Sequence, residues 1–201
     1  MTGKPMKAHL SLVLAALALS GCMASYSLVP AAEESLVGGD ALVVKPSGAW
    51  NALPMNADQS KWDETWTKNG PLLDTLAFVG GLPDGKSLLK QKKKDDQKVP
   101  VFRADMTPQD LVSMMEASYR VRGITVFDVE SVDPADFLGG KGLRVGYRYA
   151  PNDGIAKKGV CVARIVDKKL YAIKLEGVSS HYFDAALPEF DQVVASAKLD
   201  R

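Results

Sequence analysis

The sequence predicts an α+β domain: a single antiparallel sheet of about five to seven strands, covered on one face by two helices. Three observations carry this expectation. Four runs in the second half of the chain alternate or concentrate apolar residues as strands do. The links between them are short, and short links join antiparallel neighbours, since parallel pairing needs a crossover of a dozen or more residues. Two further stretches, 107–121 and 188–198, space their apolar residues for a helix face.

The elements follow in order. Residues 24–40 are small, polar and glycine-ended, and read as a tether reaching on the order of 25 Å if flexible. Ala41 to Pro46 is the first strand, closed by a Pro46-Ser47-Gly48 turn. All three tryptophans follow: Trp50, Trp62 and Trp66. Trp62 and Trp66 share a face if helical; if extended, Glu64, Trp66 and Lys68 do. Either the tryptophans fill the core, each burying roughly 150–250 Å², or they form a platform for a sugar, lipid or peptide. Leu72 to Val79 is strand-like, and Gly80-Gly81 and Pro83-Asp84-Gly85 break it. The glycine pair lacks the spacing of a phosphate-binding loop. Residues 90–98, rich in lysine, read as a solvated loop.

Thr107, Pro108 and Asp110 make a capping-box-like start for the first helix, which carries Leu111, Met114, Met115, Ser118 and Val121 on one face and ends at Gly123. Strands follow at 124–129, 142–149, 160–166 and 170–175, the last two joined by a tight turn at Asp167-Lys168-Lys169. Arg144 and Arg148 share a strand face and are expected to pair with carboxylates across strands. The last helix begins at Pro188, with Phe190, Val193, Val194 and Ala197 as its apolar stripe.

The start of the chain carries a different kind of signal. Lys4 and Lys7 precede an apolar run from Leu10 to Leu19, followed by Ser20, Gly21 and Cys22. That order marks a secretory signal, and the run has about half of the roughly 20 residues needed to span about 30 Å of hydrocarbon. Leu19-Ser20-Gly21-Cys22 resembles the lipobox of bacterial lipoproteins. The resemblance implies cleavage between Gly21 and Cys22, and a diacylglyceryl group on the Cys22 thiol. It divides the chain into a signal peptide (1–21), a lipidated tether (22–40) and one domain (41–201). Two or more acyl chains hold a protein stably at a membrane, at about 0.8 kcal/mol per buried methylene. Met23 is not the aspartate of an inner-membrane retention signal, so the resemblance implies the outer membrane, facing the periplasm. The closing order of strand, hairpin strand and helix, ending in Ser196-Ala197-Lys198-Leu199, resembles the PsbP-like α/β sandwich over roughly the last 60 residues. That fold mostly serves binding and assembly.

Composition narrows the chemistry. The chain has 25 Lys and Arg against 24 Asp and Glu, and loss of Lys4 and Lys7 brings the net charge to −1. No broad positive field for nucleic acid results. Of two cysteines, lipid would take Cys22, leaving Cys161 unpaired and expected to be a buried, inert thiol. Of two histidines, His9 leaves with the signal, so His181 alone remains and no multi-histidine metal site forms. The expectation is thus a membrane-anchored, non-enzymatic interaction domain without cofactor or metal, contacting the membrane through acylated Cys22 and an envelope protein as partner. A ligand-binding module built on Trp50, Trp62, Trp66 and His181 is the first alternative. A hydrolase is the second, with Ser179, Ser180 and Asp184 beside His181, although nothing resembles a nucleophile elbow.

Overall fold

Alternation is realised most fully in four long strands that form the middle and one edge of a large sheet. The computed structural model describes residues 26–55, 59–91, 98–151 and 154–200. In chain order the elements are β1 (Ser27–Val29), β2 (Ser35–Val37), β3 (Leu42–Val44), β4 (Trp50–Ala52), β5 (Asp63–Thr67), β6 (Asp74–Pro83), α1 (Pro108–Val121), β7 (Val126–Phe137), β8 (Gly140–Ala150), β9 (Lys157–Val166), β10 (Lys169–Val178), α2 (Tyr182–Ser196) and β11 (Lys198–Leu199). The main sheet has eight strands in the order β1-β4-β5-β6-β10-β9-β8-β7, and a small second sheet runs β11-β3-β2. Every pairing is antiparallel.

The sheet is therefore wider than the five to seven strands expected, and it is not single. The added strands are mostly three residues long, too short to display a period. Two of them, β1 and β2, lie in the stretch read as a tether, and their Val29 and Val37 are buried. β11 returns the C-terminus to the N-terminal region, pairing Lys198 with Val43 and Leu199 with Leu42. β7 continues past the expected strand as far as Phe137 and contains Pro134. As the outermost strand, it tolerates a residue that cannot donate to a neighbour.

Both long hairpins turn on two residues with positive φ. These are Asp167 and Lys168 (48° and 62°) and Leu138 and Gly139 (50° and 74°). Consecutive positive φ matches the right-handed twist of the flanking strands. Gly80-Gly81 does not end β6. It forms a bulge opposite Tyr171, where the chain crosses the Gly38 backbone so closely that a Cβ on Gly80 would lie 2.0 Å from the Gly38 carbonyl oxygen.

α1 starts as expected. The Thr107 hydroxyl accepts from the Asp110 amide, and the Thr107 amide donates to the Asp110 carboxylate at 2.8 Å. α2 begins six residues before Pro188, which lies inside it. Burial of Phe183 and Ala186 against β10 extends the helix backward despite the proline.

The helices lie on opposite faces of the sheet, not on one. In β10, Tyr171, Ile173 and Leu175 join the cluster containing Phe183, Phe190 and Val193 of α2. Leu170 and Ala172 join the one containing Leu111 and Met114 of α1. Strand side chains alternate between faces, so neighbours in sequence belong to different cores. The second sheet packs on the α2 side, where Val37, Leu42 and Val44 are fully buried.

Candidate functional site

The side chains that β5, β6, β10, β9 and β8 turn toward α1 fall into rows set by register. One row is Asp63, Val79, Ala172, Ala163 and Leu143. The next is Thr65, Ala77, Lys174, Cys161 and Val145. The third is Thr75, Glu176, Gly159 and Tyr147. Small residues fill the middle of these rows, so α1 cannot close on the sheet there. A cleft of ≈ 1060 Å³ results, walled by Leu111, Met114, Met115, Ser118 and Tyr119 of α1 and rimmed by Leu53, Pro54, Gln59 and Leu88. That volume is at the upper end for a small-molecule site, about 300–1,000 Å³.

A buried polar network forms one end of the floor. The Tyr119 and Tyr147 hydroxyls both donate to Glu176 Oε1, the latter at 2.9 Å. Lys174 Nζ donates to the Tyr119 hydroxyl at 2.9 Å and lies 3.4 Å from Glu176 Oε2. Gly159 makes room for this arrangement, because a Cβ there would sit 2.2 Å from Tyr147 Cζ. Burial pushes the Glu176 carboxyl upward, but the Lys174 ammonium and the two phenols outweigh it and hold the group below the ordinary glutamate range. Burial and the Glu176 charge raise both tyrosines well above theirs. Asp63, at the cleft edge, is raised by burial against the pull of Lys174 and Arg122. Burial pushes the Cys161 thiol up to about 11, so it stays protonated, inert as a nucleophile at neutral pH. Asp74, a further buried carboxylate, is consumed by the β5–β6 turn, where it accepts from Thr67 Oγ1 and the Lys68 and Asn69 amides.

The candidates expected from the sequence lie elsewhere. Trp50 and Trp66 are core residues at 0% and 1% exposure, their indoles donating to Glu189 and Glu64. Trp62 is half-buried and packs on the opposite side of the sheet, beside Val79, so the three do not share a surface. His181 is exposed at the start of α2, edge-on to Tyr182. Ser179 donates to the Ala156 carbonyl, and Asp184 faces Lys158 at 3.7 Å. No serine–histidine–carboxylate relay links these groups in any hydrogen bond found among the described residues. Arg148 pairs across strands with Glu130 of β7 as expected, whereas Arg144 pairs instead with Asp191 of α2, because its strand face is covered by that helix. Among the described residues no group of three or more His, Cys, Asp or Glu side chains is placed to hold a metal. Gly21 and Cys22 lie outside the described residues, as do 92–97 of the lysine-rich stretch.

Lys174 and Glu176 are candidate-site residues that the sequence pattern did not single out; the strand expected there includes Lys174 but stops at Leu175, before Glu176. Their signal is nonetheless present in the alternation of β10, where Leu170, Ala172, Lys174 and Glu176 oppose Tyr171, Ile173 and Leu175. A charged pair on the sheet face away from α2 requires its own cover and partners.

No protein-family model and no curated protein sequence matches this chain. Solved structures do. The solution structure of cyanobacterial PsbP (CyanoP) from Synechocystis sp. PCC 6803 aligns over 90% of this chain and 99% of its own, with 14% identity and a TM-score of 0.52. A crystal structure from Bacteroides thetaiotaomicron VPI-5482 aligns over 84% of this chain and 48% of its own, with 6% identity and a TM-score of 0.51. LpqN, involved in cell envelope biogenesis of Mycobacterium tuberculosis, aligns with a TM-score of only 0.32, too distant to bear on the fold. The chain thus has a PsbP-like fold, and at these identities the likeness is one of fold alone.

Proposed function

We propose that this chain is a bacterial envelope lipoprotein, held at the outer membrane by acyl groups on Cys22 and facing the periplasm. Its PsbP-like domain binds its ligand or partner and does not transform it. The observation that carries this reading is the cleft beneath α1, whose polar floor is satisfied from within. Glu176 is held ionised by two protonated phenols and an ammonium, so neither that carboxylate nor the phenols face the cavity as a free base or an activated nucleophile. Catalysis at His181 loses its support, because that ring stands exposed with no hydroxyl in its hydrogen bonds. A stacking platform of three tryptophans loses its own, because two of them are core.

Labelled palmitate fed to the expressing cells tests the anchor: it should enter the wild-type chain and not Cys22→Ser, and label in the serine variant would overturn the reading. Binding is tested by NMR on the purified lipoprotein titrated with muropeptides and with phospholipids. Shifts should concentrate at Tyr119, Lys174 and Met115. A turnover of substrate that disappears in Lys174→Met would show the domain to be an enzyme instead.

A further inference from the structure

The occupant of the cleft can be narrowed from the chemistry of its two halves and from where the chain enters the fold. We propose that it takes one acyl tail of a zwitterionic membrane phospholipid, an inference that rests on the anchored, cleft-binding reading above.

The half nearer the start of α1 is lined by carbon and sulfur except at Asp63, which shares a register row with Val79. Leu111, Met114 and Met115 stand over Val79, Ala172 and Ala163. Methionine adapts to irregular shapes, which suits a flexible methylene chain. A sugar or nucleotide placed there would bury hydroxyls without partners. In the other half, Lys174 and Glu176 satisfy each other and add no net charge. The remaining charges are Asp63 on β5, to which Arg122 at the end of α1 is electrostatically coupled, and Lys90, so both signs line the cleft. A head group with one cation and one anion meets both. A purely anionic head would face Asp63, and a purely cationic one Arg122 and Lys90.

The chain's entry supplies the source. β1 runs antiparallel to β4 with Ser27 opposite Ala52, so the residues before Ser27 leave the sheet on the side where Leu53 and Pro54 continue. Leu53 and Pro54 line the cleft rim. Tyr26 is four steps along the chain from Cys22, a reach of at most about 14 Å at roughly 3.3–3.6 Å per residue. Acylation at Cys22 therefore brings a lipid surface to the rim of the cleft.

The test uses the full acylated protein in vesicles of phosphatidylethanolamine and phosphatidylglycerol. A small share of the phosphatidylethanolamine carries a diazirine near one tail terminus, and adducts are mapped by peptide mass spectrometry after irradiation. Adducts should fall on the α1 peptide containing Met114 and Met115. Ala77→Phe and Thr65→Trp, each filling the floor, should lower them by about tenfold or more, the change expected from excluding a few buried methylenes. Thermal melts verify that each variant folds, and the wild-type adduct map needs no variant. Adducts confined to the N-terminal segment would overturn the inference. So would equal labelling from a phosphatidylglycerol probe, which removes the zwitterionic head. Labelling that appears only in Cys22→Ser would show the protein's own anchor filling the cleft. An intact mass without acyl groups refutes the anchor itself, whereas an acylated protein without cleft adducts refutes only the lipid tail.

Discussion

On the α2 face the central strands present Leu76, Phe78, Val162, Ile173 and Leu175, all buried without a gap against Phe190 and Val193. On the α1 face the residues between them are Ala77, Val79, Cys161, Ala163, Ala172 and Lys174, and a cleft remains. The backbone is shared, so the difference lies in side-chain volume and charge at alternate positions. Large residues draw a helix into contact. Gly177 takes this furthest, since a Cβ there would lie 2.7 Å from the Phe183 amide nitrogen. Small residues leave a space that α1 spans with methionines, and the sheet can then keep a buried lysine–glutamate pair. One face is closed by its helix, while the other keeps an open cleft.

The contrast can be broken most directly by truncation on each side. Phe190→Ala should cost about 3–5 kcal/mol in urea unfolding, whereas Met115→Ala beside the existing cleft should cost under about 1.5 kcal/mol. Equal losses would mean that the two faces are packed alike. Disrupting the buried pair should have the next largest effect. Lys174→Met leaves Glu176 without its cation and should cost about 2–3 kcal/mol, below the roughly 3–5 of a fully buried pair because the cleft admits some solvent. Adding Glu176→Gln should recover most of that loss, and simple additivity in the double-mutant cycle would show that the two side chains do not act together.

Titration sharpens the same comparison, because the groups with the most strongly shifted ionisation lie on the α1 face. The Glu176 carboxyl is lowered in the folded state, so its contribution is present above the unfolded value and lost as pH falls through the folded one. Glu176→Gln should therefore flatten the acid limb of stability against pH. The Cys161 thiol is raised from 9.0 to about 11, so its contribution is complete below pH 9 and lost as pH rises toward 11. Cys161→Ala should make the alkaline limb shallower. An unchanged alkaline limb would mean that the thiol is solvated. The smallest effect belongs to the outer α2 face. Arg144→Ala, losing the ion pair with Asp191 in partly exposed surroundings, should cost about 0–1 kcal/mol in the same unfolding assay.

Local signals in the sequence led to the elements they describe. Thr107, Pro108 and Asp110 fixed the start of α1, and the Asp167-Lys168 turn fixed the β9–β10 hairpin. Patterns at longer range were less legible. Val29 and Val37 are single buried positions in three-residue strands, where no period can be counted. Pro188 has the appearance of a helix start, and only the burial of Phe183 places it inside one. Which face each helix covers depends on pairing register, which no single strand encodes. The cleft was illegible for that reason: Ala77, Ala172 and Ala163 become adjacent only when β6, β10 and β9 are aligned. The stretch read as an anchor lies outside the described residues, and that reading rests on its sequence alone: the order of charge, apolar run and Cys22.

The pairing of Lys198–Leu199 with Leu42–Val43 bears on the order of events in folding. A sheet that begins with β2 and β3 is completed by β11, after all the other strands have been made. Non-local β pairing of this kind folds in milliseconds to seconds, because loop closure comes before the contacts that stabilise it. The native state is therefore out of reach until β11 has emerged.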